Sequence, residues 1–181
     1  INMKIISLNA WSGRAGSGLH DFFRKNNDID IFCLQEVDLD GTKFGIDVTG
    51  ENPPAGDKYL FSSVQDILKE HRGYFSSQLG EWYGLAIFLK KDIYRNVTAS
   101  GELVISDEQQ KFVNYKTWFR RTMQWVDFEQ GNRKYTVLNV HALWMSGMGK
   151  GDNPERLEQS QNIIKFLETK RERNIILIGD F

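Results

Sequence analysis

The sequence closes with Ile175-Ile176-Leu177-Ile178-Gly179-Asp180-Phe181, an apolar run that leads directly to a carboxylate. A short run of this kind predicts a buried strand, and it places Asp180 at the strand end. Sheets present ligand-binding and catalytic groups at such a rim. We therefore expect Asp180 to belong to a functional site, and we expect the domain to continue beyond residue 181.

Three earlier apolar runs also lead directly to a polar side chain. These side chains are Asn9, Glu36 and His141, and each follows a short run rich in Ile, Leu, Val or Tyr. Any one of them could be an ordinary polar residue at a strand end, because loops are exposed to water. Together with Asp180 they predict one site built from four strands.

The composition indicates a single soluble domain of 181 residues. It is 40% hydrophobic and 26% charged, with a formal net charge of −1, so no overall positive field attracts nucleic acid. The one cysteine, Cys33, lies inside an apolar run and is expected to be a small buried side chain. No apolar stretch reaches the length of a membrane span, and we expect a cytoplasmic protein.

The periodicity predicts an α/β fold with a mixed sheet. A strand, helix and strand open the chain, and the middle section reads as successive antiparallel strands, including a hairpin across Gln130-Gly131-Asn132. Ser17 and Asn153 are the expected helix caps. The predicted strands are 3–9, 29–35, 72–78, 83–90, 94–105, 117–129, 133–141 and 175–180; the predicted helices are 17–26, 62–70 and 154–171; residues 38–58 are predicted to be a long surface loop.

The four strand-end groups fit metal-dependent hydrolysis. Glu36 can hold a hard cation such as Mg²⁺, or Mn²⁺ in its place, because such ions take one or two protein carboxylates and fill the remaining positions with water. Asp180 could orient or deprotonate a water molecule. His141 could donate to a phosphate oxygen, and Asn9 could fix the orientation of a ligand through hydrogen bonds.

An arginine pair lies within the predicted strand 117–129. Arg120 and Arg121 offer guanidinium groups for phosphate, although paired arginines on a strand are often only solvated. Arg121 alternates with apolar residues, so it shares an otherwise apolar face and needs an anion there. These neighbours are Phe119, Met123 and Trp125.

Two loops could contact a substrate. Residues 144–152 contain three glycines and a lysine, so their backbone could approach a phosphate. The aromatic residues of 112–118 could stack bases or lipid headgroups, or they could pack in the core. Dinucleotide fingerprints, paired-cysteine zinc motifs and the serine nucleophile elbow are absent from the sequence.

Five short motifs, taken in order, resemble the endonuclease/exonuclease/phosphatase superfamily, which includes DNase I-like nucleases. The resemblance implies a four-layered sandwich of two mixed sheets flanked by helices, and Mg²⁺-dependent hydrolysis of phosphate esters. The motifs are Leu8-Asn9, Leu34-Gln35-Glu36-Val37, Tyr83-Gly84-Leu85-Ala86-Ile87-Phe88, Asn139-Val140-His141 and Ile178-Gly179-Asp180-Phe181.

The same resemblance implies a role for each site residue. Glu36 resembles the metal ligand, and Asn9 resembles a contact to phosphate or to the metal shell. His141 resembles the histidine that stabilises the attacked phosphate, Asp180 the acid that positions the water, and Arg121 a phosphate-contacting arginine.

The resemblance also implies that residues 1–181 are the N-terminal portion of one such domain. We expect its missing C-terminal half to be the natural partner of this chain, and an exposed sheet face to favour self-association. The leading expectation is a phosphodiesterase or endonuclease, with nucleic acid as one candidate substrate. A phospholipid or inositol-phosphate phosphoesterase and a non-catalytic binding fragment remain as alternatives.

Overall fold

The computed structural model describes residues 2–43, 56–106, 120–143 and 151–181, which form eight strands, four α-helices and two short 3-10 turns. The turns lie at Trp11–Gly13 and Gly41–Lys43. The helices are α1 (Ser17–Lys25), α2 (Leu60–Ile67), α3 (Lys91–Tyr94) and α4 (Pro154–Glu168). The strands are β1 (Ile5–Asn9), β2 (Ile31–Asp38), β3 (His71–Leu79), β4 (Tyr83–Lys90), β5 (Val97–Ser106), β6 (Arg121–Gln130), β7 (Arg133–His141) and β8 (Asn174–Asp180).

The strands form two mixed sheets of four strands each. The first sheet has the order β1-β2-β4-β3, and the second has the order β5-β6-β7-β8. The pairs β1/β2 and β7/β8 are parallel, and the remaining pairs are antiparallel. The prediction of mixed pairing is confirmed.

Three apolar clusters separate four layers of structure. Helices α1 and α2 pack on the outer face of the first sheet, the inner faces of the two sheets pack on each other, and α4 covers the outer face of the second sheet. In β2, Phe32 and Leu34 face the helices while Ile31 and Cys33 face the second sheet, so both faces are buried. The four-layered sandwich and the burial of Cys33 are therefore confirmed.

Local sequence signals explain several boundaries. Gly131 has φ +61° in the β6/β7 turn, a conformation that glycine adopts without strain. Asn153 caps α4, because its side-chain oxygen accepts a 2.8 Å hydrogen bond from the backbone of Arg156. The predicted cap at Ser17 was wrong: Gly16 precedes α1 without a side-chain cap, and Ser17 is the first helical residue.

The prediction that the second strand ends before Glu36 was also wrong. Strand β2 continues to Asp38, and its register with β4 shifts between Leu34 and Val37. Glu36 lies in this irregularity with φ +55°, so a bulge rather than a strand end aims its side chain.

Part of the predicted loop and strand boundaries lies outside the described residues. This applies to 44–55 in the surface loop and to 107–119 before β6. None of the helices that the structure describes is long and apolar enough to cross a bilayer.

Candidate active site

Four strands from two sheets bring their polar residues to one rim. Asn9 ends β1, His141 ends β7 and Asp180 ends β8, while Glu36 projects from the bulge in β2. Within each sheet the strands of the parallel pair, β1/β2 or β7/β8, end at the same edge, and the contact of Asn9 with Asp180 brings the two edges together. We call Asn9, Glu36, His141 and Asp180 the rim cluster.

Asn9 connects the two acids of the rim cluster. Its Nδ2 donates to Glu36 Oε1 at 2.9 Å and to Asp180 Oδ2 at 3.0 Å, although Asp180 lies 171 positions away in sequence. Its Oδ1 accepts a 3.0 Å hydrogen bond from the backbone N–H of Trp11. The amide therefore holds two carboxylates from different sheets next to each other.

His141 faces the same two carboxylate oxygens across a gap. Its Nε2 lies 4.0 Å from Glu36 Oε1 and 3.9 Å from Asp180 Oδ2, which is too far for direct hydrogen bonds. Burial, with a smaller effect from the charge of Arg121, lowers the pKa of His141 to about 4 against the opposing effect of Asp180. The imidazole is therefore neutral at pH 7 and keeps one N–H to donate.

Arg121 brings a buried positive charge to the rim. It is the first residue of β6 and is 5% exposed. Burial lowers the pKa of Arg121 to about 10, against the opposing effects of Tyr83, Glu36 and Asp180, so the guanidinium stays charged at pH 7. The structure therefore brings all five predicted site residues into one neighbourhood.

A buried amide pair behind the rim was not predicted as part of the site. Gln35 Nε2 donates to Asn139 Oδ1 at 2.7 Å, and Asn139 Nδ2 donates to the backbone oxygens of Leu34 at 2.9 Å and Ala86 at 3.2 Å. Gln35 directly precedes Glu36, and Asn139 lies two residues before His141. A polar residue inside an apolar strand was the available signal, since such a group needs a partner.

Asp38 is a further acid near the rim that was not predicted. It is 3% exposed at the end of β2. Burial raises the pKa of Asp38 to about 6, although a hydrogen bond from Ser12 and the charge of Arg14 lower it. The carboxyl therefore takes up its proton at a pH closer to neutral than an ordinary aspartate does.

The donor set of the rim suits a hard cation better than zinc. Among the described ranges, no three His, Cys, Asp or Glu side chains are arranged to hold a metal ion. Magnesium requires fewer protein ligands, because one or two carboxylates and several waters complete its shell. Glu36 and Asp180 fit that requirement. The side-chain oxygen of Asn9 already accepts a hydrogen bond from Trp11. Direct binding of the metal by Asn9 stays a prediction.

The two loops that could contact substrate cannot be placed beside this cluster. The aromatic residues 112–118, and residues 144–150 of the glycine-containing segment, lie outside the described residues.

Solved structures share this fold at low sequence identity. The chain matches TDP2 from Caenorhabditis elegans with TM-score 0.63 and 20% identity, over 98% of this chain and 46% of that one. An endonuclease/exonuclease/phosphatase family protein from Bacteroides thetaiotaomicron gives TM-score 0.67 and 16% identity, over 98% and 62%. A mannosyl-6-phosphatase from the same species gives 0.64 and 17%, over 99% and 65%.

The chain therefore shares its fold with these three structures, and the fold that the five motifs implied is confirmed. The chain spans about half to two thirds of the length of these structures. No protein-family model and no curated protein sequence matches it.

Proposed function

We propose that the protein is a divalent-metal-dependent phosphoester hydrolase whose chemistry takes place at the rim cluster. The contact made by Asn9 carries this proposal. One amide group donates to Glu36 Oε1 at 2.9 Å and to Asp180 Oδ2 at 3.0 Å. Two carboxylates held this close repel each other, and a cation or a bound proton would relieve that repulsion.

Glu36 is the residue that would hold Mg²⁺ or Mn²⁺, with Asp180 beside it. When bound, the ion would supply positive charge to the phosphate oxygens and lower the pKa of a coordinated water. The backbone around Glu36 is held rigidly, because strands pair with β2 on both sides. A rigidly held ligand suits Mg²⁺, because this ion demands near-ideal coordination geometry.

Asp180 and His141 have complementary roles around the phosphate. Asp180 orients a water molecule and takes its proton as the water oxygen bonds to phosphorus. The bond from phosphorus to the leaving ester oxygen breaks, and that oxygen leaves as an alcohol after it takes a proton from solvent. The N–H of neutral His141, which lies about 4 Å from the carboxylate oxygens of Glu36 and Asp180, donates to a phosphate oxygen beside them, and buried Arg121 offsets the added negative charge.

Among the phosphate esters, we propose a phosphodiester as the substrate. TDP2 from D. rerio has been crystallised with a single-strand DNA product. One of the two Bacteroides neighbours is a mannosyl-6-phosphatase. Both neighbours support a phosphate ester as the substrate, and the DNA product supports a nucleotide ester. The net charge of −1 gives no general attraction to long nucleic acid, so a short or single nucleotide ester fits better than a duplex.

Replacement of Glu36 tests the proposal. Glu36→Gln keeps the shape of the side chain and removes its charge, so we expect Mg²⁺-stimulated hydrolysis of bis(p-nitrophenyl) phosphate to fall by at least about 100-fold. Binding of Mg²⁺ to the protein, measured by titration calorimetry, should weaken in parallel. Glu129→Gln, at an exposed position on β6, is the matched control and should change neither measurement.

Equal rates for Glu36→Gln and the unaltered protein would remove the metal assignment. A protein with no hydrolysis and no Mg²⁺ binding would instead support the binding-module alternative. In that case His141→Ala should leave partner binding unchanged.

A further inference from the structure

Trp11 places a large aromatic ring beside the rim cluster. It follows Asn9 by two residues, which span at most about 7 Å of chain. Trp11 is 53% exposed, although tryptophan is usually mostly buried. The backbone N–H of Trp11 donates to Asn9 Oδ1 at 3.0 Å, so the same amide that joins the two acids also positions this residue.

The backbone around Trp11 adopts a conformation that needs external support. Trp11 has φ +48° and Ser12 has φ +51°, and side-chain-bearing residues rarely take such values. Two hydrogen bonds outside the turn hold it: Ala10 N donates to Gln35 O at 2.8 Å, and Asp57 N donates to Ser12 O at 3.0 Å. The ring is thus held at the rim rather than left on a free loop.

Arg14 supports the ring from the same turn. Its guanidinium carbon lies 5.7 Å from the centroid of the Trp11 ring, within the range of cation–π attraction. The pair presents an apolar aromatic surface next to a positive charge. A ligand that matches both features carries a flat ring and a phosphate a short distance apart.

We propose that Trp11 and Arg14 form a base-stacking subsite, in which Trp11 stacks on the nucleobase of a nucleotide ester while its phosphate lies at the rim cluster. This inference rests on the proposed hydrolase function and names the substrate group beside the phosphate. Stacking on tryptophan tolerates any base, because every base has an aromatic face. Trp11 is then a residue that determines specificity for the class of ester.

The test compares two phosphates that differ only in the base. Binding of 2′-deoxyadenosine 5′-phosphate and of 2-deoxyribose 5-phosphate is measured by calorimetry with Mg²⁺ present, and chromatography checks that the ligands stay intact. We expect the nucleotide to bind about 5- to 100-fold more tightly. Trp11→Leu should remove this preference, and Trp11→Phe should keep most of it. Arg14→Gln should reduce it about two- to fivefold.

The control variant is Leu157→Ala, which truncates a similarly exposed apolar side chain on α4 in the opposite helical layer. It should leave both affinities unchanged. Trp11→Leu keeps an apolar side chain, so a role in packing alone would leave its nucleotide preference equal to that of Trp11→Phe. That result would overturn the subsite.

Equal or undetectable binding of the two phosphates by the unaltered protein would overturn it as well. The hydrolase proposal would survive either result if hydrolysis still depended on Glu36. The two proposals can therefore fail separately.

Discussion

At the scale of single residues, Asp38 is an acid whose burial opposes its charge. Its pKa is raised to about 6, well above the usual value for an aspartate, so the protein favours the protonated form. Stability from this group is gained as the pH falls below about 6 and is lost as the carboxyl ionises. The charged form therefore costs stability at pH 7.5.

We predict that Asp38→Asn stabilises the protein at pH 7.5. The neutral amide removes the buried charge, so the free energy of unfolding should rise by about 1–2 kcal/mol at pH 7.5 and by about 1 kcal/mol less at pH 5. Urea denaturation at the two pH values measures this difference. Asp66→Asn, at an exposed position of α2, should change stability little at either pH. A gain that is independent of pH would contradict the prediction.

His141 couples pH to stability with the opposite sign. Its pKa is lowered to about 4 from a usual value near 6.5, so the protein favours the neutral imidazole. This group is expected to reduce stability by about 1–2 kcal/mol as the pH falls from 7 to 5. His141→Asn should flatten that part of the pH profile of urea denaturation. A variant with an unchanged slope would show that burial does not control this histidine.

At the scale of elements, strand pairing explains most of what the periodicity predicted. The hairpin of β6 and β7 and the mixed pairing follow from alternating apolar residues and from the turn at Gly131, which are local features. The bulge at Glu36 was not predicted, because the extra residue becomes visible only when β2 is paired with β4. The sequence of β2 alone does not show which strand pairs with it or in which register.

Gly84 shows how closely two strands approach each other. A Cβ atom added to Gly84 in β4 would lie 1.9 Å from the backbone oxygen of Ser76 in β3. Because the clash is with backbone, a change of side-chain conformation could not relieve it. We predict that Gly84→Ala lowers the free energy of unfolding by about 2–4 kcal/mol. Thermal and urea denaturation measure the loss.

Gly18→Ala is the matched control for this substitution. Gly18 lies in α1, and a Cβ there meets nothing within 4 Å. Alanine should stabilise the helix by about 0.5–1 kcal/mol, since glycine is the poorer helix former. Equal effects of the two substitutions would mean that the β3/β4 approach is not as tight as the structure shows.

At the scale of the whole molecule, Gln35 and Asn139 join the two sheets behind the rim. Their 2.7 Å hydrogen bond crosses the interface between β2 and β7, next to Glu36 and His141. Buried amides that satisfy each other fix one relative position of two elements, whereas an apolar interface allows small shifts. The pair is therefore placed to hold Glu36 and His141, which lie close to it in sequence, at a fixed separation.

We predict that the two amides are energetically coupled. Gln35→Ala and Asn139→Ala should each lower the free energy of unfolding by about 1–3 kcal/mol. The first substitution leaves the buried Oδ1 of Asn139 without this donor, and the second removes the hydrogen bonds of Asn139 to Gln35, Leu34 and Ala86, while Gln35 Nε2 keeps its bonds to Ser7 and Cys33. In a double-mutant cycle, the loss of unfolding free energy in the double variant should be smaller than the sum of the two single losses by about 1 kcal/mol or more. Additive losses would contradict a direct coupling. Ser160→Ala with Asn26→Ala, on different helical layers, provides an additive reference pair.

The sequence by itself determined the succession of strands and helices, the layered class of fold through five short motifs, and the identities of Asn9, Glu36, His141, Asp180 and Arg121 as candidates. The succession of elements and the candidate residues depend on local patterns of apolar and polar residues along the chain, whereas the layered class of fold was implied by the resemblance of the five motifs to a known superfamily. Only the tertiary structure decided which atoms meet. Asn9 contacts a carboxylate 171 positions away, and His141 is neutral because surrounding elements bury it beside an arginine. Distance and burial depend on how the two sheets pack, a property that no single segment contains.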